Sequence, residues 1–143
     1  MGIARLGHYS IRTRDLETSL CFYTRVLGFR TGYRPPFPFP GAWLYAGGDE
    51  SDFGVVHLIG EDEGRGLRDY LGARESPCRG NGAVDHVAFL ATDWPETRTR
   101  CDAEGILYSL REVPALGLLQ VFLTDPSGVT VELNYPAAEA ARI

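Results

Sequence analysis

Residues 8–15 read HYSIRTRD and residues 86–93 read HVAFLATD, and this repeat decides the fold. Each passage opens on a histidine, continues as a run typical of a short half-buried strand, and ends on an aspartate. Asp15 and Asp93 stand where a helix N-cap is expected, because an aspartate side chain can accept from the free N–H groups of the first turn. A single histidine in such a strand would usually be a hydrogen-bonded core residue. Two at matching positions indicate a duplicated structural unit.

The same succession of elements is predicted after both passages. An apolar helix face built from Leu16, Leu20 and Tyr23 ends at Gly28, and a weaker helix pattern runs from Trp94 to Gly105. Three strands follow each helix, over residues 29–34, 41–46 and 53–59 in the first half and 106–113, 118–124 and 129–134 in the second. We therefore expect an α+β fold of two paired βαβββ modules, about 5–60 and 83–136, within one domain spanning 1–143. The polar, glycine-rich stretch 61–82 is the linker, with one helical turn near 67–71.

Composition excludes several functional classes. The 143 residues carry a net charge of −5, which argues against nucleic acid as a partner. All 14 basic residues are arginine, so no mechanism can use a lysine. The three cysteines are widely spaced and indicate neither a disulfide framework nor a zinc knuckle. No stretch approaches the roughly 18 to 20 apolar residues of a membrane span, and the N-terminus lacks a signal-peptide pattern. We expect no membrane association and a cytoplasmic location.

Four polar side chains interrupt apolar strands at matching positions in the two modules. His8 and His86 open the first strand of each module, while His57 and Glu132 lie in the last strand of each. A pseudo-twofold axis is expected to bring all four together. Three imidazoles and one carboxylate suit one divalent first-row transition metal (Fe, Ni, Co, Mn or Zn) better than Ca²⁺ or Mg²⁺. Such a site would leave two coordination positions for water or a bidentate substrate, and its charge would suit an enolate oxygen.

The chain resembles the vicinal oxygen chelate superfamily, which includes glyoxalase I, methylmalonyl-CoA epimerase, extradiol dioxygenases, fosfomycin-modifying enzymes and metal-free bleomycin-binding proteins. The resemblance is carried by Gly7-His8, FYTRVLGF at 22–29, DHVAF at 85–89 and DPSGVTVEL at 125–133. It implies that the two modules curl into a half-barrel sheet over a metal, with His8, His57, His86 and Glu132 at the ligand positions. It also implies a homodimer. In this superfamily the position of His57 varies most among subfamilies.

Several chemistries fit this ligand set. A glyoxalase-like lyase, isomerase or epimerase would remove a proton next to a carbonyl, and Glu132, the only carboxylate, is then the candidate base. A ring-cleaving extradiol dioxygenase could use His8, His86 and Glu132, but it would lack a spare acid–base histidine, unless a tyrosine replaced it: Tyr9, Tyr45 or Tyr135. Fosfomycin-type addition would need a cationic pocket, for which only arginines such as Arg12 and Arg34 are at hand. A metal-free binding protein should have lost its ligand residues.

Strand parity suggests the substrate contacts. Ser10 and Arg12 share the face of His8, and Asn134 shares that of Glu132. Trp43 and Tyr45 are further candidates for substrate contact. Trp43 ends the stretch RPPFPFPGAW at 34–43, and four prolines stiffen this stretch. This stretch is either a rigid loop over the sheet edge or a pocket wall for a small aromatic or apolar substrate.

Overall fold

The computed structural model describes residues 5–47, 54–72 and 79–142, which form two βαβββ modules joined by a linker helix. The first module contains β1 (Tyr9–Thr13), α1 (Leu16–Cys21) continued by a π-helical turn (Phe22–Val26), β2 (Arg30–Gly32), β3 (Gly41–Tyr45) and β4 (Val56–Gly60). The linker holds α2 (Arg65–Leu71). The second module contains β5 (Val87–Leu90), α3 (Trp94–Glu104), β6 (Tyr108–Val113), β7 (Leu118–Thr124) and β8 (Thr130–Pro136), and short 3-10 helices span Pro114–Leu116 and Ala137–Arg142.

Each module folds its four strands into a sheet of the same order. The first sheet runs β1-β4-β3-β2 and the second β5-β8-β7-β6, and in both the first and last strands of the module pair in parallel. The predicted α+β class and the duplicated βαβββ architecture are confirmed. The strand after the first helix is shorter than predicted, Arg30–Gly32 instead of 29–34, since the prolines that follow cannot donate to a ladder. The sequence Gly47-Gly48-Asp49 is also typical of a hairpin turn after β3, and it lies largely outside the described residues.

The predicted helix caps are present. Asp15 accepts from the backbone N–H of Thr18 at 3.0 Å, and Asp93 accepts from that of Glu96 at 3.2 Å. Gly105 follows α3 in the left-handed region with φ +67°, a conformation that glycine adopts without a Cβ penalty. Local capping chemistry therefore sets where both module helices begin and where α3 ends.

One buried apolar cluster unites the two modules. It contains residues of both halves, among them Ile11, Phe22, Tyr23, Trp94, Val121, Leu133 and Tyr135. Two hydrogen bonds cross the same junction: the Tyr23 hydroxyl donates to the buried Asp125 at 2.8 Å, and the Ser127 hydroxyl donates to the carbonyl of Arg12 at 2.9 Å. Because strand residues alternate between faces, the modules meet through the helix-bearing face of each sheet, and the other face of each carries the polar residues. No helix among the described residues is long and apolar enough to span a membrane.

The proline-rich stretch packs against the linker helix. Phe39, Ile59 and Leu67 form a second small buried cluster, which covers part of the first sheet beside β4. A Cβ atom at Gly66 would collide with the carbonyl of Pro38, so α2 can approach this closely only because residue 66 is glycine. Part of the stretch is thus held against the linker helix and the first sheet, and its two interpretations, loop and pocket wall, stay predictions.

Candidate functional site

The four predicted metal ligands form two pairs, one on each sheet. His8 directly precedes β1 and its ring stacks on that of His57 in β4, with centroids 3.8 Å apart and planes inclined by 18°. His86 directly precedes β5, and its Nε2 lies 3.1 Å from Oε2 of Glu132 in β8. Parallel pairing of first and last strands makes each pair neighbours.

The two pairs do not meet within one chain. Among residues 5–47, 54–72 and 79–142, no group of three or more His, Cys, Asp or Glu side chains is placed to hold a metal ion. The sequence predicts that a pseudo-twofold gathers all four residues but leaves open whether they meet within one chain or across a dimer, and the four-ligand site stays a prediction. Within the chain the modules pack through their helix-bearing faces, which directs the two ligand-bearing faces away from the shared core.

His57 has a buried imidazole ring whose Nε2 makes no hydrogen bond to the described part of the chain. Its side chain is sandwiched between His8 and the Trp43 indole, whose centroid is 4.0 Å away with an interplanar angle of 3°, and the residue is 8% exposed. Burial lowers the pKa of His57 to about 4, with smaller contributions from His8 and Arg34, while a hydrogen bond to the Gly54 backbone opposes them. Nε2 is buried and has no hydrogen-bond partner in the described part of the chain, so the bond to Gly54 belongs to Nδ1. An anchored Nδ1 and a presented Nε2 are the features of a histidine metal ligand.

His8 cannot share an ion with His57 in its present orientation. An imidazole nitrogen binds a metal in the plane of its ring, and two nearly parallel stacked planes do not intersect at bonding distance. His8 is exposed and lies outside the strand, so rotation of its side chain is sterically open. Metal binding by both residues therefore requires the stack to open.

His86 is held by a carboxylate that sequence reasoning missed. Its Nδ1 lies 2.7 Å from Oδ2 of Asp85, and this hydrogen bond, assisted by the charges of Glu132 and Asp85, raises the pKa of His86 against the effect of desolvation. Nε2 is thereby directed at Glu132, in the carboxylate–histidine arrangement that orients metal ligands. The available signal was an acidic residue directly before a candidate ligand.

The Glu132 carboxylate is held by the side-chain amides of Gln120 and Asn134, in addition to its contact with His86. The residue is 6% exposed, and its Oε1 accepts from Gln120 Nε2 and from Asn134 Nδ2, both at 2.7 Å. Gln120 was not foreseen, although its alternation in β7 places it on the face of Glu132. Asn134, predicted to contact substrate, lies beside Glu132 and donates to it.

The remaining candidate substrate residues divide into two groups. Ser10 lies opposite His57 in the ladder, and Trp43 stacks on the His57 ring, so both residues border the first pair. Arg12 is half-buried two residues along the same strand. Tyr45, which alternation places on the same face of β3 as Trp43, is 3% exposed and donates its hydroxyl to the Tyr33 carbonyl at 2.6 Å. Its contact with substrate stays a prediction.

Comparisons with known proteins agree with this architecture. A family model described as the Glyoxalase/Bleomycin resistance protein/Dioxygenase superfamily matches residues 5–133. The chain is 30% identical over 134 residues to a lactoylglutathione lyase of Salmonella typhimurium, covering 90% of each protein. Among solved structures, it resembles lactoylglutathione lyase from Agrobacterium tumefaciens (TM-score 0.63, 19% identity, 94% and 96% coverage of this chain and that one). It also resembles an antibiotic-binding protein from Streptomyces sp. CB03234 (TM-score 0.62, 17% identity, 95% and 98% coverage).

Proposed function

The chain belongs to the glyoxalase/bleomycin resistance protein/dioxygenase superfamily, and we propose that within it the protein is a metal-dependent, glyoxalase-like enzyme of the lyase, isomerase or epimerase type. His8, His57, His86 and Glu132 would hold one divalent first-row metal. When bound, the metal supplies positive charge that stabilises an enolate or another oxyanion with vicinal oxygens on a small substrate.

The observation that carries this proposal is the buried Nε2 of His57, which has no hydrogen-bond partner among the residues that the structure describes. A buried polar atom without a partner typically costs about 1–3 kcal/mol, and a cation at this nitrogen would remove that penalty. Burial also keeps the ring neutral, with a pKa of about 4, so the lone pair is available near neutral pH. The donor chemistry of the site, imidazole nitrogen plus carboxylate, matches the preference of first-row metals.

We place the complete site in a homodimer. His8 and His57 of one protomer would meet His86 and Glu132 of the partner subunit. The two pairs, which are separate within the described part of one chain, would then form one site. A twofold axis would then generate two identical sites, each with a pair from either subunit.

The chain's own residues would bind and orient the substrate around that site. Glu132, the carboxylate of the set, is the candidate proton acceptor through Oε2. Ser10 lies within the first sheet beside His57, where its hydroxyl can contact a polar substrate group. Trp43 and the Phe37 ring, with centroids 6.3 Å apart, form a wall that suits an apolar or aromatic substituent.

A metal-free binding protein is the second candidate. It is favoured by the lack of a three-residue metal group within the described chain and by the flat stack of His8, His57 and Trp43, on which a ring could pack. The Streptomyces relative by fold is itself described as an antibiotic-binding protein. Metal analysis separates the two candidates.

The test is to load the purified protein with Co²⁺, remove free ion and count bound metal. We expect one ion per chain, with loss of binding in Glu132→Gln and retention in Glu112→Gln, a matched change at an exposed strand residue. Equal metal content in Glu132→Gln and wild type would contradict the site, and no metal in wild type would favour the binding protein.

Mixed dimers test the location of the site. In a dimer of one His57→Ala chain and one Glu132→Gln chain, a site shared between subunits gives one doubly altered centre and one intact centre. Such a dimer should recover half of the wild-type metal, whereas each parent dimer has none intact. A site built within single chains would leave both centres altered and recover nothing.

A further inference from the structure

We propose that Gln120, acting with Asn134, is a positioning residue that anchors Glu132 by Oε1 and leaves Oε2 as the one oxygen for a metal or a proton. The inference rests on the proposed function, because it concerns how Glu132 acts there. It adds a residue from β7 to a site otherwise built from the first and last strands of each module.

Three polar side chains form a closed triangle on the second sheet. Gln120 Nε2 donates to Glu132 Oε1 at 2.7 Å and to Asn134 Oδ1 at 3.1 Å, and Asn134 Nδ2 donates to Glu132 Oε1 at 2.7 Å. The strand register produces this contact, since Gln120 lies opposite Asn134 and Phe122 opposite Glu132 in the β7–β8 ladder. All three side chains lie on the face opposite the core, together with His86.

The triangle distinguishes the two oxygens of one carboxylate. A carboxylate oxygen has two lone pairs, and both positions on Oε1 are taken by amide N–H groups. Oε2 faces Nε2 of His86 at 3.1 Å instead. Glu132 can therefore bind a cation through one oxygen, and any proton it accepts goes to that same oxygen while Oε1 stays anchored.

Gln120 is the member that orders the other amide. Because Asn134 Oδ1 accepts from Gln120, the amide of Asn134 is turned so that its Nδ2 faces Glu132. Removing the Gln120 donor releases one hydrogen bond directly and the orientation of Asn134 with it. The freed carboxylate could then rotate and bind a cation through both oxygens.

The experiment compares Gln120→Met, which keeps side-chain length without a donor, with Thr124→Val, an exposed control on the same strand and face. The probe is Co²⁺ alone, titrated against a competing chelator. We expect Gln120→Met to bind Co²⁺ about 10- to 100-fold more weakly, the range measured for groups that orient metal ligands. Its visible absorption spectrum should change, since the spectrum reports the coordination geometry of the ion, while Thr124→Val should match wild type in both measurements.

A purely structural role for Gln120 would lower stability without altering the spectrum of the loaded protein. Thermal unfolding of each metal-free variant therefore accompanies the titration, and Gln120→Ala replaces Gln120→Met if the latter does not fold. Wild-type affinity and spectrum in the Gln120 variant, with binding lost in Glu132→Gln, would overturn this inference alone. Absence of Co²⁺ binding in wild type would overturn the proposed function and this inference with it.

Discussion

Replacing His57 by phenylalanine should make the metal-free protein less sensitive to acid while it removes a metal ligand. The phenyl ring can keep the stack with Trp43, whose centroid lies 4.0 Å from that of the imidazole. The change removes the buried Nε2, a gain of about 1–3 kcal/mol, but it leaves the buried backbone group of Gly54 without its His57 partner, a loss of about 1–3 kcal/mol. Near neutral pH we therefore expect little net change in stability.

The effect of acid follows from the low pKa of His57. The folded imidazole has a pKa of about 4, below its ordinary value of 6.5, so the unfolded chain takes up a proton first as the pH falls. Wild-type stability therefore decreases from pH 6.5 to pH 4, by at most about 3 kcal/mol for this group. Solvent reaching the site through the exposed His8 screens the interaction, so about 1–2 kcal/mol is the realistic share. The phenylalanine variant lacks this loss.

Urea unfolding in the presence of a metal chelator, at several pH values between 4 and 7, measures the difference. The free energy of unfolding of His57→Phe should fall less steeply with acid than that of wild type, and the two curves should diverge below pH 6.5. Ser10→Ala, opposite His57 in the ladder and without a titrating group, should follow wild type. Parallel curves for wild type and His57→Phe would refute the assignment of His57 as a buried neutral imidazole.

Three further predictions concern the module junction and the second pair. Tyr23→Phe should cost about 1–3 kcal/mol in urea unfolding, because it withdraws a donor from the buried Asp125 carboxylate; unchanged stability would show that this bond does not join the modules. Asp85→Asn should weaken Co²⁺ binding about tenfold in chelator competition, since His86 loses its orienting carboxylate, and equal affinity would argue against that role. Wild-type affinity for Co²⁺ should rise with pH through the raised pKa of His86, because the proton and the ion compete for the same ring; a flat profile from pH 6 to 8 would count against His86 as a ligand.

Residues close in sequence carried most of the fold. Asp15, Asp93 and Gly105 act on their own helix ends, so their patterns predicted the helices directly. The duplicated strand–helix–strands order also assigned His8 and His57, and His86 and Glu132, to matching first and last strands. That these strands pair in parallel was seen only in the structure. The two residues of each pair could therefore be predicted from the sequence.

The residues that hold the candidate ligands in place could be predicted only in part from the sequence. Alternation in β7 shows which face Gln120 occupies. Its contact with Glu132, however, depends on the antiparallel register between two strands, which no local sequence pattern predicts. Asp85 stands next to His86 in sequence, yet an adjacent residue meets a neighbouring side chain only if the backbone before β5 turns suitably. The same applies to Tyr45, whose hydroxyl is taken by the backbone of Tyr33.

The sequence pattern predicted the two modules, the succession of their elements and the residues of each polar pair, because period-two alternation and capping act over a few residues and repeat in both halves. The order of strands in each sheet and the packing of one module on the other were seen only in the folded chain. Alternation states which residues share a face, but a large apolar face can be buried against several partners with similar gain per unit area. Here the helix-bearing faces are buried against each other, with Tyr23 and Asp125 bonded across the junction, so the His8–His57 and His86–Glu132 pairs are left on separate faces.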